Sequence, residues 1–284
     1  MKDDILTVMQ NEMSSFSKGQ KRIAAYILED YNKAAFMTAS RLGKTVGVSE
    51  STVVRFAIEL GYEGYPSMQR AMQEMVLNRL TSVQRLEIAH EQMADQDVLT
   101  SVLHSDAEKI RQTAESVDRD AFNAAVEALL NGKQIYILGA RSAAALANFA
   151  GYYMKYMFKH IHVVTTTGGG EMLERLINVE EGDVVLAFSF PRYSTATVKG
   201  VRYCDSVGAT VISVTNSQTS PLAAFSDYVL VAKSNMVYFA DSLVAPLSMV
   251  DALLVALASR KGTVLEKNFD TLEHLWEEYH IYEK

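Results

Sequence analysis

The chain has 284 residues, 49% of them hydrophobic and 21% charged, so it is long enough for two domains and too apolar for disorder throughout. Its net charge of -7 at pH 7 excludes a protein that coats nucleic acid or anionic membrane by bulk charge, although a local basic face is compatible with it. The lone Cys204 cannot form an intramolecular disulfide, and residues 1–4 lack a signal-peptide pattern, so we expect a cytoplasmic protein. No membrane partner is expected, because the longest apolar stretch, residues 243–258, is too short to span a bilayer.

Charge and hydrophobic pattern both change near residue 77, and they divide the chain into three segments. Residues 1–77 are predicted to form an all-α domain, since Ile23 and Ile27 recur at helical spacing and acidic and basic residues balance there. Residues 78–105 are polar and contain neither Pro nor Gly, which predicts a helical connector. Residues 106–284 form the predicted second domain, and the whole acidic excess of the chain lies after residue 77.

Residues 38–60 have the pattern of two helices joined by a tight turn at Gly47, and the predicted buried face of the second helix is Val53, Phe56, Ala57 and Leu60. The opposite face carries short hydroxyls and one arginine, which suits a helix in the DNA major groove because Arg donates two hydrogen bonds to a guanine edge. The predicted DNA-binding residues are Ser49, Ser51, Thr52 and Arg55, with Arg41 and Lys44 of the first helix at phosphates. On spacing alone, a helical hairpin with a solvated polar face explains the pattern equally well.

After residue 106, apolar runs rich in Val and Ile alternate with stretches that fit helices, at residues 134–138, 161–165, 183–188, 210–215 and 228–232. Runs that are apolar on both faces are typical of parallel strands covered on both sides. The predicted fold class is therefore α/β, with an N-terminal all-α helix-turn-helix domain followed by a five-stranded, doubly wound parallel sheet. In the strand order 2-1-3-4-5, ligands bind where the loops after strands one and three meet.

Those two loops begin at Gly139 and Ser189 and contain hydroxyl groups, guanidinium groups and predicted helix starts, which together suit a phosphorylated, hydroxyl-rich ligand. The predicted ligand-binding residues are Gly139, Arg141, Ser142, Ser189, Arg192, Tyr193, Ser194 and Thr195. Ordinary N-capping by Ser142 and Ser194 is the alternative. Neither a cofactor nor a metal is predicted, because a Gly-x-Gly-x-x-Gly fingerprint is absent and no Cys or carboxylate cluster accompanies His160 and His162.

Several N-terminal motifs resemble one family of bacterial regulators. They are Gln20-Lys-Arg-Ile-Ala24, Phe36-Met-Thr38, Gly47-Val-Ser-Glu-Ser-Thr-Val-Val-Arg-Phe56, Leu60-Gly-Tyr62 and Gly64-Tyr-Pro66. This set resembles the N-terminal domain of RpiR/MurR-type transcriptional regulators, which pair a helix-turn-helix domain with a C-terminal sugar isomerase (SIS) domain. The resemblance implies that Ser49, Ser51, Thr52 and Arg55 begin the recognition helix.

The SIS resemblance also shows where the ligand loops depart from the family pattern. A Gly-x-Gly-x-Ser turn corresponds here to Gly139 with Arg141 and Ala143 at the second and third positions. A Ser-x-Ser-Gly-x-Thr loop corresponds to Ser189 followed by Pro191, Arg192 and Ser194. Two arginines thus stand at glycine positions, which implies anion binding with a different geometry.

Catalysis is not expected. An aldose-ketose isomerase needs a positioned acid and base, whereas position 196 is Ala where SIS enzymes often have Glu, and Glu171, Glu266 and His274 form no convergent pair in the sequence. The main hypothesis is a transcriptional regulator that binds a double-stranded DNA operator, senses a small sugar-phosphate-like effector and forms a homodimer or a dimer of dimers. The alternatives are a sugar-phosphate isomerase with an appended helical domain and an interaction module that has lost its ligand.

Overall fold

The computed structural model describes residues 5–79, 83, 86, 97–234 and 240–283. Contacts within the chain divide it into two compact units, Met1–Arg85 and Leu86–Lys284. Most of the predicted connector, residues 78–105, lies outside the described residues, and its last part begins a helix of the second unit at Val98. No helix of the described part is both long and apolar enough to cross a bilayer.

The first unit is all-α, as predicted. Its helices are α1 (Ile5–Asn11), α2 (Lys18–Glu29), α3 (Tyr31–Ala34), α4 (Ala39–Val46), α5 (Glu50–Glu59) and α6 (Tyr65–Arg79). Helix α2 starts with a reciprocal cap, in which the Ser17 hydroxyl accepts from Gln20 N and the Gln20 side chain accepts from Ser17 N. The buried face of α2 includes Ile23, Ala24 and Ile27, so apolar spacing and a local cap together determine this helix.

The second unit alternates helices with five strands. Its helices are α7 (Val98–Ser116), α8 (Arg119–Asn131), α9 (Ala144–Met154), α10 (Gly169–Arg175), α11 (Thr195–Ser206), α12 (Val244–Arg260) and α13 (Gly262–Glu278). Its strands are β1 (Ile135–Gly139), β2 (Ile161–Val164), β3 (Val184–Phe188), β4 (Thr210–Thr215) and β5 (Tyr228–Val231). Each strand overlaps one predicted apolar run, with ends that differ by at most one residue.

The five strands form one parallel sheet in the order β2-β1-β3-β4-β5, which confirms the predicted fold class and strand order. Strand β1 pairs with β3 so that Gly139 lies opposite Phe188 at their carboxyl ends. Both strands are buried along their whole length. The loops after β1 and β3 therefore leave the sheet side by side, as expected at a switch point.

Helices cover both faces of the sheet. Ile135 and Ile137 of β1 belong to one hydrophobic cluster, together with residues of α8, α9 and α12. Tyr136 and Leu138 belong to a second cluster, with residues of α10 and α11. Because successive strand residues point to opposite faces, each face of β1 has its own core. This arrangement explains why the strand sequences are apolar without alternation.

Candidate functional site

The turn between α4 and α5 depends on a glycine. Helix α4 ends at Gly47, which has a left-handed φ of 69°. A Cβ at this position would lie 2.6 Å from Nη2 of Arg22, so a side chain meets backbone strain and also displaces the flexible Arg22 guanidinium. The Nη1 atom of Arg22 donates to the Gly47 carbonyl at 3.2 Å. The motif alone does not point to this contact, because Arg22 belongs to α2.

Helix α5 separates a buried face from an exposed one. Val53, Phe56 and Ala57 are buried, as predicted, whereas Leu60 lies just beyond the last helical residue and is only half-buried. Ser51 and Arg55 are exposed on the other side of the helix. The predicted reading face is thus accessible within this unit.

The hydroxyl groups at the start of α5 interact with one another. Ser49 is the N-cap, and its hydroxyl accepts from Thr52 N at 3.2 Å and lies 2.8 Å from the hydroxyls of Ser51 and Thr52. Arg55 Nε donates to the Ser51 carbonyl at 3.4 Å, which holds the guanidinium beside these hydroxyls. Ser49 therefore acts as a helix cap, while Ser51 and Arg55 present polar groups outward.

Two exposed basic residues lie on α4, the helix before the turn. Arg41 and Lys44 are both exposed, as phosphate contacts require. Thr45 follows Lys44, just before the turn, and its hydroxyl donates to the Arg41 carbonyl at 2.9 Å. The structure thus brings all six predicted DNA-binding residues to the two helices of one helix-turn-helix.

The first ligand loop begins with a turn that only glycine fits. A Cβ on Gly139 would lie 2.6 Å from the Ala143 carbonyl oxygen and 3.0 Å from the Ala147 Cβ. Residues Arg141–Ala143 then form a short 3-10 turn that leads directly into α9. The predicted role of Gly139 at the site is therefore to permit this close approach rather than to supply a side chain.

Arg141 and Arg192 share an uncommon backbone conformation. Their φ angles are 57° and 62°, in the left-handed region that non-glycine residues rarely adopt. Both are exposed, and each lies in one of the two loops that follow β1 and β3. A left-handed backbone is the conformation that glycine adopts most readily, and here two arginines adopt it and add two positive charges to this edge of the sheet.

The predicted hydroxyl ligands have different environments. Ser194 caps α11 by accepting from Thr197 N at 3.5 Å, and Thr195 is exposed as the first residue of that helix. Ser189 is buried, with its backbone N–H directed to the Val214 carbonyl. Capping thus accounts for Ser194, as the alternative interpretation expected, but not for Ser142, which makes no capping hydrogen bond to the helix start.

Two residues outside the predicted set contact it. Asp241 accepts a hydrogen bond of 2.9 Å from the Ser142 hydroxyl, and Asn216 accepts one of 2.7 Å from the Tyr193 hydroxyl. Asn216 directly follows β4, so the switch-point rule applied to a third strand end points to it. Nothing in the sequence near Asp241 indicates its contact with Ser142, because the two residues are 99 positions apart.

A polar cavity of about 380 Å³ lies beyond the carboxyl end of β2, next to β1 in the sheet. Its lining includes Thr165, Thr166, Thr167, Glu171 and Arg175. The Thr166 hydroxyl donates to Glu171 at 2.5 Å, and Arg175 lies 3.5 Å from the same carboxylate group. None of the predicted ligand-binding residues lines this cavity.

The residues considered for acid-base catalysis lie on two helices, Glu171 on α10 and both Glu266 and His274 on α13. Ala196 is buried in the core, and Glu266 and His274 are exposed on α13. Among the residues that the structure describes, no group of three or more His, Cys, Asp or Glu side chains is arranged to hold a metal ion. His162 instead stacks on Tyr136 with ring centroids 4.6 Å apart.

A helix-turn-helix unit and a parallel sheet of this strand order together define a two-domain DNA-binding regulator with an SIS fold. The chain belongs to the RpiR family of transcriptional regulators. Residues 3–78 match the helix-turn-helix domain of the rpiR family, and residues 128–256 match the SIS domain.

Named relatives agree with this assignment along nearly the whole chain. The HTH-type transcriptional regulator HexR of Escherichia coli is 24% identical over 281 residues, which cover 97% of this chain and 95% of the relative. The HTH-type transcriptional regulator RpiR of E. coli is 21% identical over 88% of this chain and 84% of its own length.

Solved structures show the same fold. The sugar isomerase domain of an RpiR transcription factor from Sphaerobacter thermophilus has a TM-score of 0.60 at 27% identity, covering 63% of this chain and 99% of that one. The Vibrio vulnificus NanR protein, solved in complex with ManNAc-6P, has a TM-score of 0.59 at 23% identity, covering 95% of this chain and 97% of NanR.

Proposed function

We propose that this regulator reads an operator with α5 and senses a phosphorylated or otherwise anionic sugar derivative at the loops after β1 and β3. Occupancy of the second site changes the affinity of the first, because an effector that prefers one arrangement of the protein shifts the equilibrium toward it. The proposal places this activity in the cytoplasm, where operator DNA is found.

The division of α5 into two faces supports the DNA-binding half of the proposal. Phe56 and its neighbours bury one side, which leaves Ser51 and Arg55 exposed on the other, and Arg41 and Lys44 are exposed on the preceding helix. Short side chains allow close approach to bases, and Arg55 is the group suited to a guanine edge. Ser49 and Thr52 position the start of the helix against the DNA backbone.

The observation that supports effector binding at these loops is the register of β1 and β3. Gly139 lies opposite Phe188, so the loop with Arg141 and Ser142 leaves the sheet beside the loop with Arg192 to Thr195. Guanidinium and hydroxyl groups on neighbouring loops are the donors that phosphate and carboxylate ligands require. The ManNAc-6P complex of Vibrio vulnificus NanR supports a phosphosugar as the ligand class.

The proposed working form is a homodimer or a dimer of dimers. The acidic and basic residues of residues 1–77 balance, so one copy has little long-range attraction to DNA, and two copies on one operator compensate. Apolar side chains are exposed on α9 and α12 and offer a dimer surface: Tyr152, Tyr153, Leu247 and Val255.

The test begins by mapping the genomic sites that the full-length protein occupies. A duplex from such a site is then titrated against a scrambled duplex, with and without a panel of sugar phosphates that includes ManNAc-6P. We expect selective retention of the mapped duplex and a change in its Kd with at least one panel member. Retention of both duplexes alike, or of neither, contradicts the proposal.

A further inference from the structure

The hydrogen bond between Ser142 and Asp241 places a carboxylate against a predicted anion-binding hydroxyl. Ser142 Oγ donates to Asp241 Oδ2 at 2.9 Å. A serine hydroxyl has one hydrogen to donate, and an ionised carboxylate is only an acceptor. The hydroxyl can therefore serve Asp241 or an oxygen of an incoming phosphate, but not both. The negative charge of Asp241 also opposes the approach of a second anion.

The next residue in the chain joins this segment to helix α7. Ser242 Oγ donates to Asp106 Oδ1 at 2.6 Å, and the Ser242 carbonyl accepts from the Ser234 hydroxyl at 3.2 Å. Asp106 lies in the middle of α7. Because Asp241 and Ser242 are consecutive, a movement of Asp241 away from Ser142 acts on the bond to α7.

We propose that Asp241 competes with the effector's anion for Ser142, and that the Ser242–Asp106 hydrogen bond passes its displacement to α7. This inference rests on the proposed function, since it assumes that the effector binds at Ser142. Asp241 also acts as a specificity residue: a neutral sugar hydroxyl is a weaker acceptor than a carboxylate, so only a ligand with its own anion displaces Asp241. Asp241 thus selects ligands that carry an anion, and its displacement by such a ligand produces the response of α7.

The first experiment uses inorganic phosphate as the probe and the full chain as the protein. Asp241→Asn removes the competing charge and keeps the size, and we expect it to bind phosphate about tenfold more tightly than the unmodified chain, a factor typical of hydrogen bonds to charged groups. Asp251→Asn makes the same change of charge at an exposed position of α12 and should leave phosphate affinity unchanged. The double variant Asp241→Asn with Ser142→Ala should lose the gain.

The second experiment follows α7 by hydrogen exchange of the full chain with and without phosphate. We expect phosphate to change exchange around Asp106 in the unmodified chain and in Ser248→Ala, whose hydroxyl donates to the Val244 carbonyl within α12. In Ser242→Ala we expect phosphate still to bind while exchange in α7 stays unchanged.

The competition by Asp241 and the link to α7 are each contradicted by a different result. Phosphate affinity of Asp241→Asn that is equal to or weaker than that of Asp251→Asn overturns the competition by Asp241. An α7 response that persists in Ser242→Ala overturns the link to α7. Both results are measured without DNA, so they are distinguishable from a failure of selective duplex binding, which contradicts the proposed function instead.

Discussion

Arg141 and Arg192 adopt matching left-handed conformations, with φ of 57° and 62°, in the loops that leave the paired strands β1 and β3. The left-handed conformation costs roughly 1–2 kcal/mol for a residue with a Cβ. Residues in such regions cluster at ligand sites, where strain is compensated by function. The two arginines therefore support the proposal that this edge of the sheet binds an anion.

Replacing Arg141 with glycine should separate the effect of backbone strain on stability from the effect of the guanidinium on phosphate binding. We expect Arg141→Gly to raise the free energy of unfolding by up to about 1 kcal/mol, because relief of strain is partly offset by the greater chain entropy of glycine. Its affinity for phosphate should fall about tenfold, through loss of a charged donor. Denaturant unfolding and a phosphate titration measure the two effects. Arg141→Lys, which keeps both charge and strain, is the control, and a loss of stability in Arg141→Gly would contradict the argument.

Replacing Arg55 should affect DNA binding without affecting folding. We expect Arg55→Ala to weaken binding to the mapped duplex by about 1–3 kcal/mol and to reduce discrimination against the scrambled duplex. Lys33→Ala removes the same charge from α3, where Lys33 pairs with Asp30 at 2.7 Å, and should leave discrimination intact. Equal effects of the two variants on a fluorescence-anisotropy titration would count against α5 as the reading helix.

The turn of the helix-turn-helix should tolerate no side chain at Gly47. We expect Gly47→Ala to lower the free energy of unfolding by about 1–2 kcal/mol from its positive φ, with a further loss from the contact with Arg22. Gly61 is the matched control, because its φ is 84° but a Cβ there has no neighbour within 4 Å. A midpoint shift in denaturant that is no larger for Gly47→Ala than for Gly61→Ala would show that the Arg22 contact is unimportant.

The thiol of Cys204 should be unreactive in the folded protein. It lies on the buried face of α11, and this burial raises its pKa from 9.0 to about 12. At pH 8 a thiol reagent should therefore modify Cys204 only after denaturant is added. Since the unfolded chain releases this proton near pH 9 and the folded chain retains it to about pH 12, the stabilising contribution is complete below pH 9 and is lost between those values. Rapid modification of the native chain would contradict this environment.

The amino-acid sequence by itself determined the features that depend on local patterns. Runs that are apolar on both faces predict the five strands, and the caps at Ser49 and Gly47 predict the turn before α5. These signals depend on residues that are close together in the chain. Even the neighbouring positions of the two ligand loops followed from the strand order alone.

Only the tertiary structure decided which distant groups meet at those loops. Asp241 reaches Ser142 across 99 positions, Ser242 reaches Asp106 across 136, and Arg22 contacts Gly47 from another helix. Such contacts depend on how whole helices pack and where the chain returns to the sheet, and neither is encoded in the periodicity of the segments involved. The loop sequences therefore indicate the chemistry of the proposed site. The contact of Asp241 with Ser142 and that of Ser242 with Asp106 are evident only in the folded chain.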